Sequence, residues 1–163
     1  MDWACAAASG NDLAAILDTV IDRVGEPLPG GRADLAFLFL AAEHAGHAEE
    51  ALAAVRAELG DPHVLGCGAG GVIGGGREFE HVPALSLLAG RIPGAAVHGF
   101  QLDASALPDP DGPPRAWHEA VGVSPADTPS FVLLGDPFSM PAERQLVGLD
   151  FAYPGSVKIG GLA

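Results

Sequence analysis

The sequence predicts an α/β fold, a mixed sheet with flanking helices. Three observations carry this. Short apolar runs of strand length alternate with amphipathic stretches of helical period. Residues 77–102 offer successive strand-like runs with no helix between them, which argues against an all-parallel, doubly wound sheet. Displacing the chain by 94 residues lays one strand–helix–strand unit on another.

Residues 12–25 read as the first helix, because Leu13, Ile16, Leu17, Val20, Ile21 and Val24 recur at three- and four-residue spacing. Asn11 is the expected N-cap and Gly25 the expected stop. After a Pro/Gly loop, Leu35–Ala41 (LAFLFLA) has the length and unbroken apolarity of a strand covered on both faces. Helical spacing returns from His47 to Leu59, where Ala48, Ala51, Leu52, Val55 and Leu59 oppose Glu49, Glu50, Arg56 and Glu58. Gly60-Asp61-Pro62 ends that helix. His63-Val64-Leu65 begins a strand that enters the glycine-rich segment Gly66–Gly76.

Arg77–Glu80, Ala84–Ala89 and Ala96–Leu102 are then read as antiparallel strands, with a turn at Pro93-Gly94. Residues 103–129 hold six prolines and form a long loop with one helical turn near Trp117–Ala120. Phe131–Leu134 is strand-like, Ala142–Phe151 helical, and Val157–Ile159 runs into Gly160-Gly161.

The displacement by 94 places Phe37 on Phe131, Ala48 on Ala142, Leu52 on Leu146 and Gly66 on Gly160. Each copy reads strand, helix, short turn, strand, glycine pair. The second copy stops where the first enters its glycine loop, so the chain is expected to be part of something longer, organised as a single domain over 1–163 that is incomplete at its C-terminus.

With 163 residues, 48% of them hydrophobic, there is material for a core. The net charge of −13 repels phosphate backbones and anionic lipid surfaces, so no nucleic-acid or membrane partner is expected. The two cysteines, Cys5 and Cys67, form no disulfide framework. No basic n-region opens the chain and no apolar run spans a bilayer, so a cytoplasmic location is expected.

Gly66-Cys67-Gly68-Ala69-Gly70-Gly71 fits G-x-G-x-x-G after a strand, but Val72-Ile73-Gly74-Gly75-Gly76 makes a poor helix, and a pyrophosphate needs a helix N-terminus there. A Walker site needs Gly-Lys-Ser/Thr, and the only lysine is Lys158. Two readings of Gly66, Gly68, Gly70 and Gly71 stay open: backbone amides that cradle a small anion, or a tight crossing of strands. Cys67 is either a buried, inert thiol or a nucleophile in want of a base. His44 and His47 lie three apart near a helix start, without a third ligand, so no metal site is expected. Asp136 and Ser139 lie between a strand and a helix, where they either cap the helix or face a ligand above the strand ends.

Several motifs in order carry a family resemblance: HVLGCGAGGVIGGGREFE at 63–80, PALSLLAGRIPG at 83–94, LLGDPFSMP at 133–141 and YPGSVKIGGLA at 153–163. From residue 35 to 163 the chain resembles the N-terminal part of FIST-domain proteins. The resemblance implies an intracellular signal-transduction input domain that binds a small ligand such as an amino acid, without catalysis. It implies as partners a C-terminal FIST portion or a signalling output module. No cofactor is expected, although some family members bind haem. The family's glycine segment commonly reads GCTGEGVIGGG; Gly68, Ala69 and Gly70 stand here for Thr, Gly and Glu, which removes a carboxylate. The expected ligand-binding residues are Gly66, Cys67, Gly68, Gly70, Gly71, Asp136 and Ser139, with no catalytic residue. Two alternatives remain: an amidohydrolase-type enzyme using Cys67, and an interaction module whose truncated repeat exposes a strand edge.

Overall fold

Residues 2–9, DWACAAAS, carry little strand signal in sequence, yet they form β1 (Asp2–Ser9). The signal is supplied by a neighbour: β1 pairs antiparallel along its whole length with β6 (Ala84–Arg91). The computed structural model describes residues 1–163, which pack as two compact units, Met1–Val97 and His98–Ala163.

In the first unit, α1 (Leu13–Gly25) buries the six residues whose spacing predicts it. Its cap is Asp12 rather than Asn11, since the Asp12 carboxylate accepts from the Ala15 amide at 3.2 Å. Gly25 remains inside the helix, and Glu26 continues in right-handed geometry. β2 (Leu35–Ala41), α2 (Ala48–Glu58) and β3 (His63–Ala69) follow, and β2 and β3 pair in parallel. The glycine segment does not loop freely. It continues as β4 (Gly71–Gly74), which pairs antiparallel with β5 (Arg77–Glu80).

β6 then returns between β1 and β2, antiparallel to both, giving the order β1-β6-β2-β3. This mixed sheet with flanking helices is the predicted fold class. Ala6, Ala36, Leu38, Leu40, Leu85, Leu87 and Ala89 turn to α1 and α2 and build the main core. On the opposite face, Val72 and Phe79 of the β4–β5 hairpin cover Ala7, Ala41 and Ala84. Farther along that face Trp3 lies over Gly90, its partner across the ladder, with its ring 6.4 Å from that of Phe37.

The second unit holds α3 (Pro114–Val121), β7 (Phe131–Gly135), α4 (Ala142–Ala152) and β8 (Lys158–Leu162), with β7 and β8 parallel. α3 is two turns long, where one turn was expected, because Trp117 and Val121 of its inner face are fully buried. They pack with Phe131, Leu149, Ala152 and Tyr153 into a separate core. The polar ends of the buried aromatics are satisfied. The Trp117 indole donates to the Asp109 carbonyl at 3.2 Å, and the Tyr153 hydroxyl to the Val123 carbonyl at 2.8 Å.

The strand expected at Ala96–Leu102 does not form; these residues run without a ladder partner. The two expected repeats are present. α2 and α4 have the same length, and each links a parallel pair of strands.

Candidate functional site

The β2–α2 connection is a short turn, Ala42–His47, that opens at the carboxyl ends of two parallel strands. In open α/β sheets this is where ligands bind, because helix N-termini and loop side chains converge there. A cavity of about 480 Å³ lies at this place in the first unit, lined by Asn11, Asp12, Glu43, His44, His47 and Glu50, with Leu13, Ala14 and Pro83.

His44 fixes its shape. The side chain is buried, and its Nε2 lies 2.9 Å from the Gly10 carbonyl. A carbonyl only accepts, so Nε2 donates, and a neutral ring then keeps a lone pair on Nδ1. This bond ties the β2–α2 turn to the loop between β1 and α1. His47 Nδ1 lies 3.3 Å from a Glu50 carboxylate oxygen, and both side chains are exposed. Asp12, Glu43 and Glu50 give the cavity three carboxylates and no lysine or arginine. The first turn of α2 already carries Glu49 and Glu50, which complement its dipole.

The second unit opens a cavity of about 600 Å³ at the corresponding place. The same displacement of 94 carries Glu43, His47 and Glu50 onto Pro137, Pro141 and Arg144, and all three line it. With Pro110, Met140, Val147 and Leu162 its wall is mostly apolar. One place in the fold therefore recurs with two chemistries, acidic in the first unit and mostly apolar in the second, where Glu143 and Arg144 are the charged lining residues.

The glycines bear on the first cavity through one position. Gly68, on β3, lies against the turn: a β-carbon built there would sit 3.2 Å from that of Ala45. Gly66 meets the backbone of β2, Gly70 falls between β3 and β4, and Gly71 begins β4 against the Phe79 carbonyl. Gly71 leads into a strand, so no helix N-terminus stands there for a pyrophosphate. Cys67 lies in β3 opposite Phe39. Burial pushes its thiol up from the ordinary range, and no base is hydrogen-bonded to it. A thiol raised in this way is less ionised at neutral pH than an ordinary cysteine.

Asp136 and Ser139 come together in the second unit. The Asp136 carboxylate accepts from the Ser139 hydroxyl at 2.6 Å and from the Phe138 amide at 2.9 Å. These bonds hold the exposed Asp136 carboxyl below the usual carboxylate range, the Ser139 bond most strongly. Ser139 donates into its own loop and does not cap α4, whose N-terminal flank, Pro141, makes no side-chain cap. The glycines lie in the first unit and this pair in the second. Sequence reasoning missed Asp12, Glu43 and Glu50 as lining groups, because only the return of the chain at the strand ends gathers them.

His44, His98 and His118 each set Nε2 within 2.9 Å of a backbone carbonyl. The more apolar of the two cavities is lined by no histidine or cysteine. No group of three or more histidine, cysteine or acidic side chains is arranged to hold a metal ion. No helix is long and apolar enough to cross a membrane.

Residues 34–163 match the family model of the FIST N domain. Two uncharacterized proteins from two strains of Mycobacterium tuberculosis are each 28% identical over 151 residues, which cover 84% of this chain and 34% of the relative. The chain thus spans about a third of the length of these relatives. No solved structure matches.

Proposed function

The chain belongs to the FIST family, generally a family of signal-transduction sensory domains, and from that premise we propose that it is the input part of a small-molecule sensor whose ligand carries an amine. Amino acids are the class that fits. The observation that carries this reading is the acidic cavity at the carboxyl ends of β2 and β3. Asp12, Glu43 and Glu50 offer acceptors to an ammonium group. No lysine or arginine lines the cavity to compete for them.

A sensor must also change state. A ligand shifts an equilibrium only by its differential affinity for two conformations. Apart from Pro83, the lining comes from the start of α1 and from the β2–α2 turn with the first turn of α2, and the bond from His44 to Gly10 joins the two. An amine bridging Asp12 and Glu43 favours the arrangement in which these segments are close. Signalling output, a cytoplasmic site of action and a C-terminal FIST portion as partner belong to the same reading.

The test is calorimetric titration of the 163-residue chain with free amino acids, and with the matching carboxylic acids that lack the amine. Binding of an amino acid, lost with the deaminated acid and weakened in Glu43→Gln and Glu50→Gln, supports the reading. Equal binding of both compounds would sink it.

A further inference from the structure

The backbone of β7 has one paired edge and one open edge. The Phe131 amide donates to the Val157 carbonyl at 2.8 Å, and the Gly135 carbonyl accepts from the Ala163 amide at 2.9 Å. Phe131, Leu133 and Gly135 therefore face β8. Strand geometry turns the N–H and C=O groups of the intervening Val132 and Leu134 to the other side. No strand and no loop backbone meets them there.

The first unit shows what that edge is for. Gly66 pairs with Leu38 and Gly160 with Leu133, and each glycine faces its leucine's carbonyl. Leu133 is thus the counterpart of Leu38, and Val132 and Leu134 are the counterparts of Phe37 and Phe39. In the first unit Phe37 and Phe39 are opposite Leu88 and Ser86 of β6. β6 in turn is the only ladder partner of β1. The displacement of 95 set by the two leucines carries β1 onto 97–104, which overlaps the 96–102 stretch that has strand character and no ladder. Within the second unit, Phe100 of that stretch packs edge-on against Phe131, with centroids 6.1 Å apart. One missing strand accounts for both features: the open edge of β7 and the unpaired 98–102.

We infer that the open edge of β7 is a docking edge for an extended segment of β6's chemistry, from outside residues 1–163. It would run antiparallel to β7, be apolar on both faces, and bond to Val132 and Leu134. Both faces must be apolar because its counterpart, ALSLLAGR, is buried along most of its length. The relatives are long enough to carry such a segment, since the matched part is only 34% of each. A short edge with neither charge nor proline, as in FVLLG, lacks the features that block strand addition.

The probe is a synthetic peptide of the Pro83–Arg91 sequence, added to the whole chain, with amide exchange followed residue by residue. At saturating peptide, exchange at Val132 and Leu134 slows at least about tenfold, and residues 98–102 gain protection. The Leu88→Pro peptide, which lacks the donor facing β7, gives no protection. Unchanged exchange at Val132 and Leu134 at millimolar peptide, in a chain that still melts cooperatively, overturns the inference. So does finding these amides already protected in a dimer of the chain alone, since a second copy would then hold the edge.

Discussion

Gly66 and Gly160 stand in the same place in two successive strand–helix–strand units. A β-carbon on either would lie 1.8 Å from a carbonyl oxygen of the parallel neighbour, that of Leu38 for Gly66 and of Leu133 for Gly160. The two glycines are 94 residues apart, as are the first residues of α2 and α4, but the two leucines are 95 apart. The strand-to-helix connection is one residue shorter in the second copy. Phe37 therefore corresponds to Val132, not to Phe131 as the ungapped displacement has it.

Alanine at either glycine must push two hydrogen-bonded strands apart. Gly66→Ala and Gly160→Ala are each expected to destabilise by about 3 kcal/mol, the upper end of the overpacking range. Gly160 adds a φ of 150°, which disfavours any side chain. Urea midpoints at unchanged m-value check this. A midpoint shift in only one of the two variants would break the equivalence.

Gly148 of α4 sits against Trp117 of α3, where a β-carbon would come 1.9 Å from the indole ring. Replacing a helical glycine by alanine normally gains about 1 kcal/mol. Here the clash costs about 1–3 kcal/mol, so Gly148→Ala is expected to destabilise the second unit. Trp117 fluorescence, read in a Trp3→Phe background, should shift as the indole is displaced.

Asp34 binds three strands at one end of the sheet. Its carboxylate accepts from the Ile92 amide at 2.6 Å and pairs with the Arg91 guanidinium; its backbone meets Gly90 and His63. Bonds to a charged group that is only partly exposed are worth roughly 1.5–3 kcal/mol. Asp34→Ala is expected to lower thermal stability by about 2 kcal/mol. A change below about 0.5 kcal/mol, the scatter of ordinary surface substitutions, would contradict this.

Two groups set opposite pH limits on the second unit. The Asp136 carboxyl is held low by Ser139 and Phe138, so its contribution is present above the unfolded value and is lost as pH falls through the folded one. Burial raises the Tyr153 hydroxyl, so its contribution is present below the unfolded value and is lost as pH rises through the folded one. NMR titration should show Asp136 ionising below ordinary aspartate, and Ser139→Ala moving it back up. Tyr153 absorbance should titrate above ordinary tyrosine.

Much of the fold was legible because burial and sequence period coincide. α1, β2 and α2 each turn an apolar pattern toward a core, whereas α4 buries Leu149 and Ala152 and leaves Leu146, Val147 and Phe151 exposed. β1 was not legible, since its alanines gain strand character only from β6, which lies more than 70 residues farther along the chain. The expected strand at 96–102 failed for the converse reason: the pattern is present and the partner is not. The glycine segment was readable as glycine-dependent, but only the fold shows that Gly66, Gly71 and Gly74 each face another strand's backbone. Of the acidic cavity, the histidines at 44 and 47 were visible. Asp12 joins them only through the return of the chain.

The most direct measurement is a backbone-amide NMR titration of the chain with an amino acid, beside its deaminated analogue. The amino acid is expected to move the amides of residues 10–14 and 43–50, and the analogue to leave them in place. Perturbations confined to residues 136–140, or none from any amine in a folded chain, would contradict an amine-binding acidic cavity.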